Sequence, residues 1–159
     1  NGITFSKDGK KIYVSQARDF VMVAELGKDN VLTWANQIEF SKPKIGGHPV
    51  PGGMVLDKEN ETLYVTLNRS NSLAIVKLSD KNITEIPVGV APYEVQFFSK
   101  QKAYVSNWGG RQPKEGESTY KTSKSDILVD SITGIANNGT VSVVDLKEGK
   151  AIKNIEVGL

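Results

Sequence analysis

The feature that most constrains the fold is an internal repeat of a short apolar motif. The motif occurs three times, at residues 11–15 (KIYVS), 62–66 (TLYVT) and 102–106 (KAYVS). The central tyrosines of the three copies are 51 and 40 residues apart. Self-similarity at a period of roughly 20 to 50 residues is typical of solenoids and propellers. We therefore expect several copies of one supersecondary unit.

Each repeat contains signals for four β-strands. In the first repeat, Asp8-Gly9 lies between two apolar runs, and this dipeptide favours a hairpin because glycine accepts the positive φ of a tight β-turn. Two further strand candidates follow each motif: 20–26 and a segment within 37–45, then 72–78 and 83–88, then 140–146 and 151–157. Four strands in about 40 residues are typical of one propeller blade.

The apolar pattern favours a propeller over a sandwich. Residues 73–76 (LAIV) are a continuous apolar run, as expected of a strand covered on both faces. Gly and Pro in segments 46–51 and 88–92 would let the chain cross from one blade to the next. We therefore predict an all-β fold, a β-propeller fragment of about three four-stranded antiparallel blades. The predicted blades are about 1–51, 52–92 and 93–159, the last with an insert at 109–138.

Several segments resemble a known family of repeat proteins. Residues 104–107 (YVSN), 64–67 (YVTL) and 139–145 (GTVSVVD) resemble the YVTN-repeat β-propellers, also called surface-layer-type propellers, to which lactonase-like propellers are related. Residues 106–111 (SNWGGR), the long insert and 130–136 (DSITGIA) resemble a subgroup in which the propeller precedes a phosphoesterase domain of the alkaline-phosphatase superfamily. The resemblance implies a bacterial, extracytoplasmic protein, periplasmic or at the cell surface. Any phosphoesterase chemistry would lie outside this chain.

Composition excludes several classes of function. The formal net charge is +2, which gives no basic excess for nucleic acid, and no apolar stretch is long enough for a membrane span. The chain has no Cys and one His, so a thiolate or multi-His metal site is excluded. We expect no cofactor, no metal and no catalytic residue in this chain.

Three blades are too few to close a ring, which needs roughly four to eight. The blade faces at the two ends of the arc would stay bare, and large apolar faces seldom stay exposed. We therefore expect a fragment of a longer propeller that self-associates through its open blades, for example as a two-fold pair.

The predicted topology collects basic side chains on one face of the disk. Strand connections of two kinds emerge there, those between blades and those between the second and third strands of a blade. They carry His48, Arg18, Arg69 and Arg111. A ring of guanidinium groups would attract an anionic small molecule such as a phosphate or carboxylate. The alternative is three solvated loop arginines and a structural turn histidine.

The long insert provides the other candidate residues. Asn107 and Trp108 directly precede it, and Trp108 either stacks on a ligand or anchors the loop. The apolar segment 127–129 is expected to dock on the blade. Loops of this length are often functional.

Three functional hypotheses follow, of which the first two are the main ones. The first is a non-catalytic binding or scaffolding module, whose partner is an anionic small molecule or a fused or partner protein domain. The second is part of a lactonase-like or phosphoesterase hydrolase, in which this face gates or binds an anionic substrate. The inner-strand segments 3–5, 54–56 and 95–97 carry no acids, bases or metal ligands, which favours the first. A purely structural wall or surface-layer element is the third.

Overall fold

The computed structural model describes residues 2–99, 101–136 and 138–157, which form fourteen β-strands. The first sheet consists of β1 (Ile3–Phe5), β2 (Lys11–Ser15), β3 (Phe20–Leu26) and β4 (Leu32–Glu39). The second consists of β5 (Pro51–Asp57), β6 (Thr62–Leu67), β7 (Ser72–Lys77) and β8 (Ile83–Pro87). The third consists of β9 (Pro92–Ser99), β10 (Lys102–Asn107), β13 (Gly139–Asp145) and β14 (Lys150–Val157). Between β10 and β13, β11 (Thr119–Thr122) and β12 (Ser125–Leu128) form a separate hairpin.

All neighbouring strands in these sheets are antiparallel. The prediction of an all-β fold with three four-stranded antiparallel sheets is therefore confirmed. Lys100, in the turn before the third motif, lies outside the described residues. Within the described ranges no helix could span a membrane.

The fourth strand of the first sheet begins earlier than the sequence predicted. We expected it within 37–45, whereas β4 is Leu32–Glu39. A tight turn at 27–31 reverses the chain at once: Asn30 has a φ of 61°, and the backbone N–H of Gly27 donates to the carbonyl of Val31 at 2.9 Å. β4 is almost wholly exposed and mixes apolar with polar residues, so its sequence gave a weak strand signal.

The hydrophobic core lies between the sheets. One cluster joins the first sheet to the second and includes Tyr13, Val21, Met54 and Val65. A second cluster joins the second sheet to the third and includes Tyr64, Leu73, Val95 and Val105. The second sheet is thus covered on both faces, and all six residues of β6 are buried. Coverage on both faces explains the continuous apolar run in β7.

In each of the three sheets, the motif tyrosine points to the same side, toward the position of the next sheet. Tyr13 packs toward the second sheet, and Tyr64 packs toward the third, where its ring stacks on Phe97 at a centroid distance of 5.4 Å. Burial raises the pKa of both phenols. Tyr104 alternates with the buried Val105, so it points away from the second sheet. The ring of Tyr104 packs edge-on against the ring of Phe98, with a centroid distance of 6.2 Å. Tyr104 thus lies on a face where a further sheet would fit.

Two sheet faces are left open at the ends of the arc. On the first sheet, the exposed apolar side chains include Ile3, Phe5, Leu32 and Trp34. They lie opposite the Tyr13 face because β1 pairs Thr4 with Tyr13, and β3 pairs Ala24 with Trp34. On the third sheet, three exposed apolar side chains lie on the same face as Tyr104: Phe98, Ile155 and Val157. We refer to these as the first and third open faces.

Candidate functional site

The long insert folds back onto the blades. Leu128 is buried, and Ile127 lies directly over Gly109: a Cβ at Gly109 would be 2.8 Å from Ile127 Cγ2 and 2.9 Å from Val90 Cγ1. A side chain at position 109 would therefore push Ile127 away. The backbone N–H of Gly109 donates to the carbonyl of Val90 at 2.9 Å. The insert is thus seated on the connection between the second and third sheets.

The tip of the insert hairpin contacts the second sheet. Ser123 and Lys124 form the two-residue turn between β11 and β12, with φ values of 47° and 74°. Arg69 Nη2 donates to the carbonyl oxygen of Ser123 at 3.1 Å, and Asn71 Nδ2 donates to Ser125 Oγ at 3.1 Å. A loop of the second sheet therefore holds the insert of the third.

The base of the insert is closed by an ion pair. Arg111 donates from Nη1 and Nη2 to the two carboxylate oxygens of Glu117, at 2.8 and 2.5 Å. The backbone N–H of Lys114 also donates to Glu117, at 2.7 Å. The hydrogen bonds from Arg111 and Lys114 lower the pKa of Glu117 to about 2, and the pairing raises the pKa of Arg111. Arg111 is thus occupied within the insert.

The connection that carries His48 runs beside Arg69. The backbone N–H of Arg69 donates to the carbonyl of Pro49 at 3.0 Å, and a Cβ at Gly47 would lie 3.4 Å from Arg69 Nη2. His48 Nδ1 lies 2.8 Å from Asp19 Oδ2 and 2.9 Å from Asp19 Oδ1. Arg18, next to Asp19, is exposed, and its carbonyl accepts from the Val50 N–H at 2.9 Å.

A cleft lies between Arg69 and the insert, which we call the insert cleft. Its volume is about 660 Å³. It is lined by Asn68, Arg69, Val90, Ala91, Tyr93, Trp108, Gly109, Thr122, Ser123, Ser125, Ile127, Ala136, Asn138 and Gly139. Among these residues Arg69 is the one charged side chain. Of the three arginines singled out in the sequence, only Arg69 lines this cleft.

Trp108 is the most prominent side chain at the insert cleft. It is 84% exposed, although its backbone is fixed by donation from its N–H to the carbonyl of Ala91 at 3.1 Å. This exposure argues against the anchoring role considered for Trp108, which Ile127 and Leu128 perform instead. Tyr93, also exposed, lines the same cleft.

Asn107 is placed differently from Trp108. It is only 2% exposed, and its Nδ2 donates to Ser142 Oγ at 2.8 Å and to Thr140 Oγ1 at 3.1 Å. A Cβ at Gly89 would lie 2.4 Å from Asn107 Cγ, so the amide is packed directly under that glycine. Asn107 therefore supports the backbone beneath Trp108.

A second cleft shares Arg69 and is more basic. Its volume is about 430 Å³, and its charged lining residues are Lys42, Lys44, Arg69 and Glu85. Lys124 Nζ lies nearby, 3.4 Å from where a Cβ of Gly46 would be. Three cations against one carboxylate line this second cleft, which we call the basic cleft. The sequence hypothesis missed Lys42, Lys44 and Tyr93, although the Lys-Pro-Lys run at 42–44 could have indicated the basic side.

The comparisons with known proteins agree on the fold. Among matching solved structures, a protein from Lactobacillus plantarum superposes with a TM-score of 0.62 at 17% identity, over 98% of this chain and 42% of that one. The β-propeller domain of Cps50 (Swd1) from Myceliophteria thermophila gives 0.53 at 10% identity, over 98% and 54%. This chain is part of a β-propeller.

A third match widens the range of functions attached to this fold. Virginiamycin B lyase from Staphylococcus aureus gives a TM-score of 0.51 at 11% identity, over 98% of this chain and 54% of that one. The chain thus spans about half the length of the structures it matches. No family model and no curated protein sequence matches it. Identities this low establish the propeller fold alone.

Proposed function

We propose that this chain is a non-catalytic binding module within a larger β-propeller protein, and that its ligand carries a negative charge. The proposal rests on Arg69. This residue lines both the insert cleft and the basic cleft. Within residues 2–99, 101–136 and 138–157, no carboxylate forms an ion pair with it. Such a guanidinium keeps its capacity to bind a carboxylate or phosphate.

The surroundings of Arg69 strengthen its attraction for anions. Lys42 and Lys44 line the neighbouring basic cleft, and Lys124 lies at the tip of the insert. Clefts lined by one sign of charge concentrate the oppositely charged ligand and speed its association. A hydrogen bond to a charged group is worth about 1.5 to 3 kcal/mol, so loss of Arg69 should weaken binding about tenfold to a hundredfold.

The test is a calorimetric titration of the wild type and of Arg69→Gln with inorganic phosphate and with citrate. We expect binding by the wild type that weakens as salt is raised, and at least tenfold weaker binding by Arg69→Gln. Arg18→Gln is the matched control because Arg18 is an exposed loop arginine outside both clefts. Equal binding by wild type and Arg69→Gln would reject the proposal.

A further control separates charge from the position of the hairpin. Arg69→Gln also removes the hydrogen bond to Ser123. Ser125→Ala removes the other tip contact, from Asn71, but leaves the guanidinium in place. Anion binding by Ser125→Ala should therefore resemble that of the wild type. A loss as large as that in Arg69→Gln would assign the effect to hairpin position and overturn the role of charge.

One observation favours the hydrolase alternative as a second candidate. The Asp19 carboxylate holds the His48 ring through Nδ1, and with the proton on Nδ1 the other nitrogen, Nε2, is a base. On this proposal the face gates or binds an anionic substrate for phosphoesterase or lactonase chemistry. Turnover of a nitrophenyl phosphate or an aliphatic lactone by the wild type, abolished in His48→Gln, would support it. Absence of turnover by the wild type would reject catalysis by this chain.

The residues that resemble YVTN-repeat propellers support narrower proposals. We place the chain among the surface-layer-type propellers of bacteria, beside a phosphoesterase domain, in an extracytoplasmic protein. The motifs at 104–107 and 106–111 carry this proposal. The open faces support self-association of the isolated chain. The gene sequence that surrounds this segment tests the proposed phosphoesterase neighbour. If the same reading frame encodes no phosphoesterase domain, that proposal is rejected.

A further inference from the structure

We propose that the ligand of the insert cleft is an acidic oligosaccharide, a chain of sugar units that includes uronic acid. This inference rests on the anion-binding function proposed above and names the class of ligand. It is carried by the combination of exposed aromatic rings, neutral hydrogen-bonding side chains and the Arg69 guanidinium in the same cleft, which has no ion-pair partner in the part of the chain that the structure describes.

The aromatic side chains form the first part of the site. Trp108 and Tyr93 are both more than half exposed, and both line the insert cleft. Their backbones are fixed, since Trp108 N–H bonds the carbonyl of Ala91 at 3.1 Å, and Thr66 Oγ1 donates to the carbonyl of Tyr93 at 3.2 Å. Rigid exposed rings offer large amphipathic contact area at low entropic cost. The apolar CH face of a pyranose ring suits such a surface.

The polar lining forms the second part. The neutral side chains of Asn68, Thr122, Ser123 and Ser125 line the insert cleft. Hydroxyl and amide groups both donate and accept hydrogen bonds, which matches the hydroxyl groups of a sugar. Arg69 adds a single cation, which matches one carboxylate on the ligand.

The shape of the site indicates an elongated ligand. A neighbouring cavity of about 520 Å³ is lined by Tyr93, Trp108, Ser106, Thr140, Gly139, Asn107 and Val157. It shares both aromatic residues with the insert cleft. A ligand could therefore extend from Arg69 across the two rings. A single-stranded nucleic acid could also stack on the two rings. The hydroxyl and amide side chains that line the two cavities match sugar hydroxyl groups better than a phosphate backbone, and the hexanucleotide below tests this alternative.

The experiment uses the full chain and four probes: trigalacturonate, its methyl ester, inorganic phosphate and a hexanucleotide. The methyl ester keeps the sugar rings and removes the charges. Binding is followed by the fluorescence of Trp108 in a Trp34→Phe background, because Trp34 lies on the first open face. Variants Trp108→Ala and Tyr93→Ala test the stacking surface, and circular dichroism confirms that each variant is folded.

The expected result is that trigalacturonate binds best of the four. Its methyl ester should bind about tenfold more weakly, and Trp108→Ala, measured by calorimetry, should lose about tenfold in affinity for trigalacturonate. Tyr93→Ala should show a smaller loss in the same direction.

Other outcomes overturn specific parts of the inference. If phosphate binds as tightly as trigalacturonate, and Trp108→Ala binds both like the wild type, the carbohydrate class is wrong while anion binding stands. Tighter binding of the hexanucleotide also rejects the carbohydrate class. If trigalacturonate and its methyl ester bind equally, and Arg69→Gln does not change their affinity, the proposed anion-binding function is wrong. The proposal that the cleft binds an oligosaccharide would then stand. Failure of all four probes to bind rejects both.

Discussion

The open faces allow a quantitative prediction about association of the isolated chain. Four large apolar side chains of the first open face are 47% to 61% exposed, and three of the third open face are 40% to 79% exposed. Full burial of such a side chain contributes about 1.5 to 3 kcal/mol, so half-burial contributes about 1 to 1.5 kcal/mol. One contact between a first and a third open face would then gain about 7 to 10 kcal/mol.

A two-fold pair of chains would form two such contacts and gain about 14 to 20 kcal/mol in total. Association costs about 4 to 15 kcal/mol in lost freedom, and a mid-range cost leaves a surplus of about 4 to 10 kcal/mol. This surplus corresponds to a Kd between about 1 mM and 50 nM. We therefore expect the chain to dimerise at concentrations within reach of analytical ultracentrifugation.

The perturbation is Trp34→Glu, which places a charge in both contacts at once. Sedimentation equilibrium should show a dimer for the wild type and a monomer for Trp34→Glu at the same concentration. Trp108→Glu is the matched control, since Trp108 is also an exposed tryptophan but lies at the insert cleft. A folded wild-type monomer throughout the concentration range would refute the reasoning. So would a dimer that persists in Trp34→Glu and dissociates in Trp108→Glu.

Three further predictions concern the core and the insert. Leu73→Ala should cost about 2 to 5 kcal/mol in urea unfolding, because Leu73 is fully buried between the second and third sheets, whereas Leu32→Ala on an open face should change stability little. The pKa of Glu117 is lowered from 4.5 to about 2 in the folded chain, so the stability contributed by its pair with Arg111 is complete above pH 4.5 and is lost as pH falls toward 2. Amide protection in the base of the insert, taken relative to the intrinsic exchange rate at each pH, should therefore fall over that window in the wild type, and Glu117→Gln should show low protection at every pH. Gly109→Ala should lower the unfolding temperature, at a cost of about 1 to 3 kcal/mol, since its Cβ would lie within 2.9 Å of both Ile127 and Val90; an unchanged unfolding temperature would show that the insert is not seated on Gly109.

The fold was largely predictable because its signals are local. Strand periodicity, the Asp8-Gly9 turn and the repeated tyrosines depend on residues close together in sequence. The exception was β4, which follows the turn at 27–31 directly. Its exposed residues mix apolar and polar types, and the register shift between Val23 and Ala24 breaks the alternation after Trp34.

The candidate site was much less predictable, because its contacts join distant segments. The bond between Arg69 and Ser123 spans 54 residues, as does that between Asn71 and Ser125. The pair between His48 and Asp19 spans 29. The sequence proposed Arg69 and Trp108 as ligand-binding residues, and that role is still a prediction. It could not show that Arg111 is paired with Glu117, or that Asn107 lies buried beneath Trp108.

The amino-acid sequence alone determined that this chain forms repeated four-stranded antiparallel sheets, since hydrogen bonding and side-chain alternation within each sheet follow from neighbouring residues. Only the tertiary structure decided which side chains are available to a ligand. Exposure of Trp108 and enclosure of Arg69 depend on where the insert docks, and pairing of Arg111 with Glu117 depends on how the insert itself folds. That docking is set by packing of Ile127 and Leu128 against residues far away in the chain.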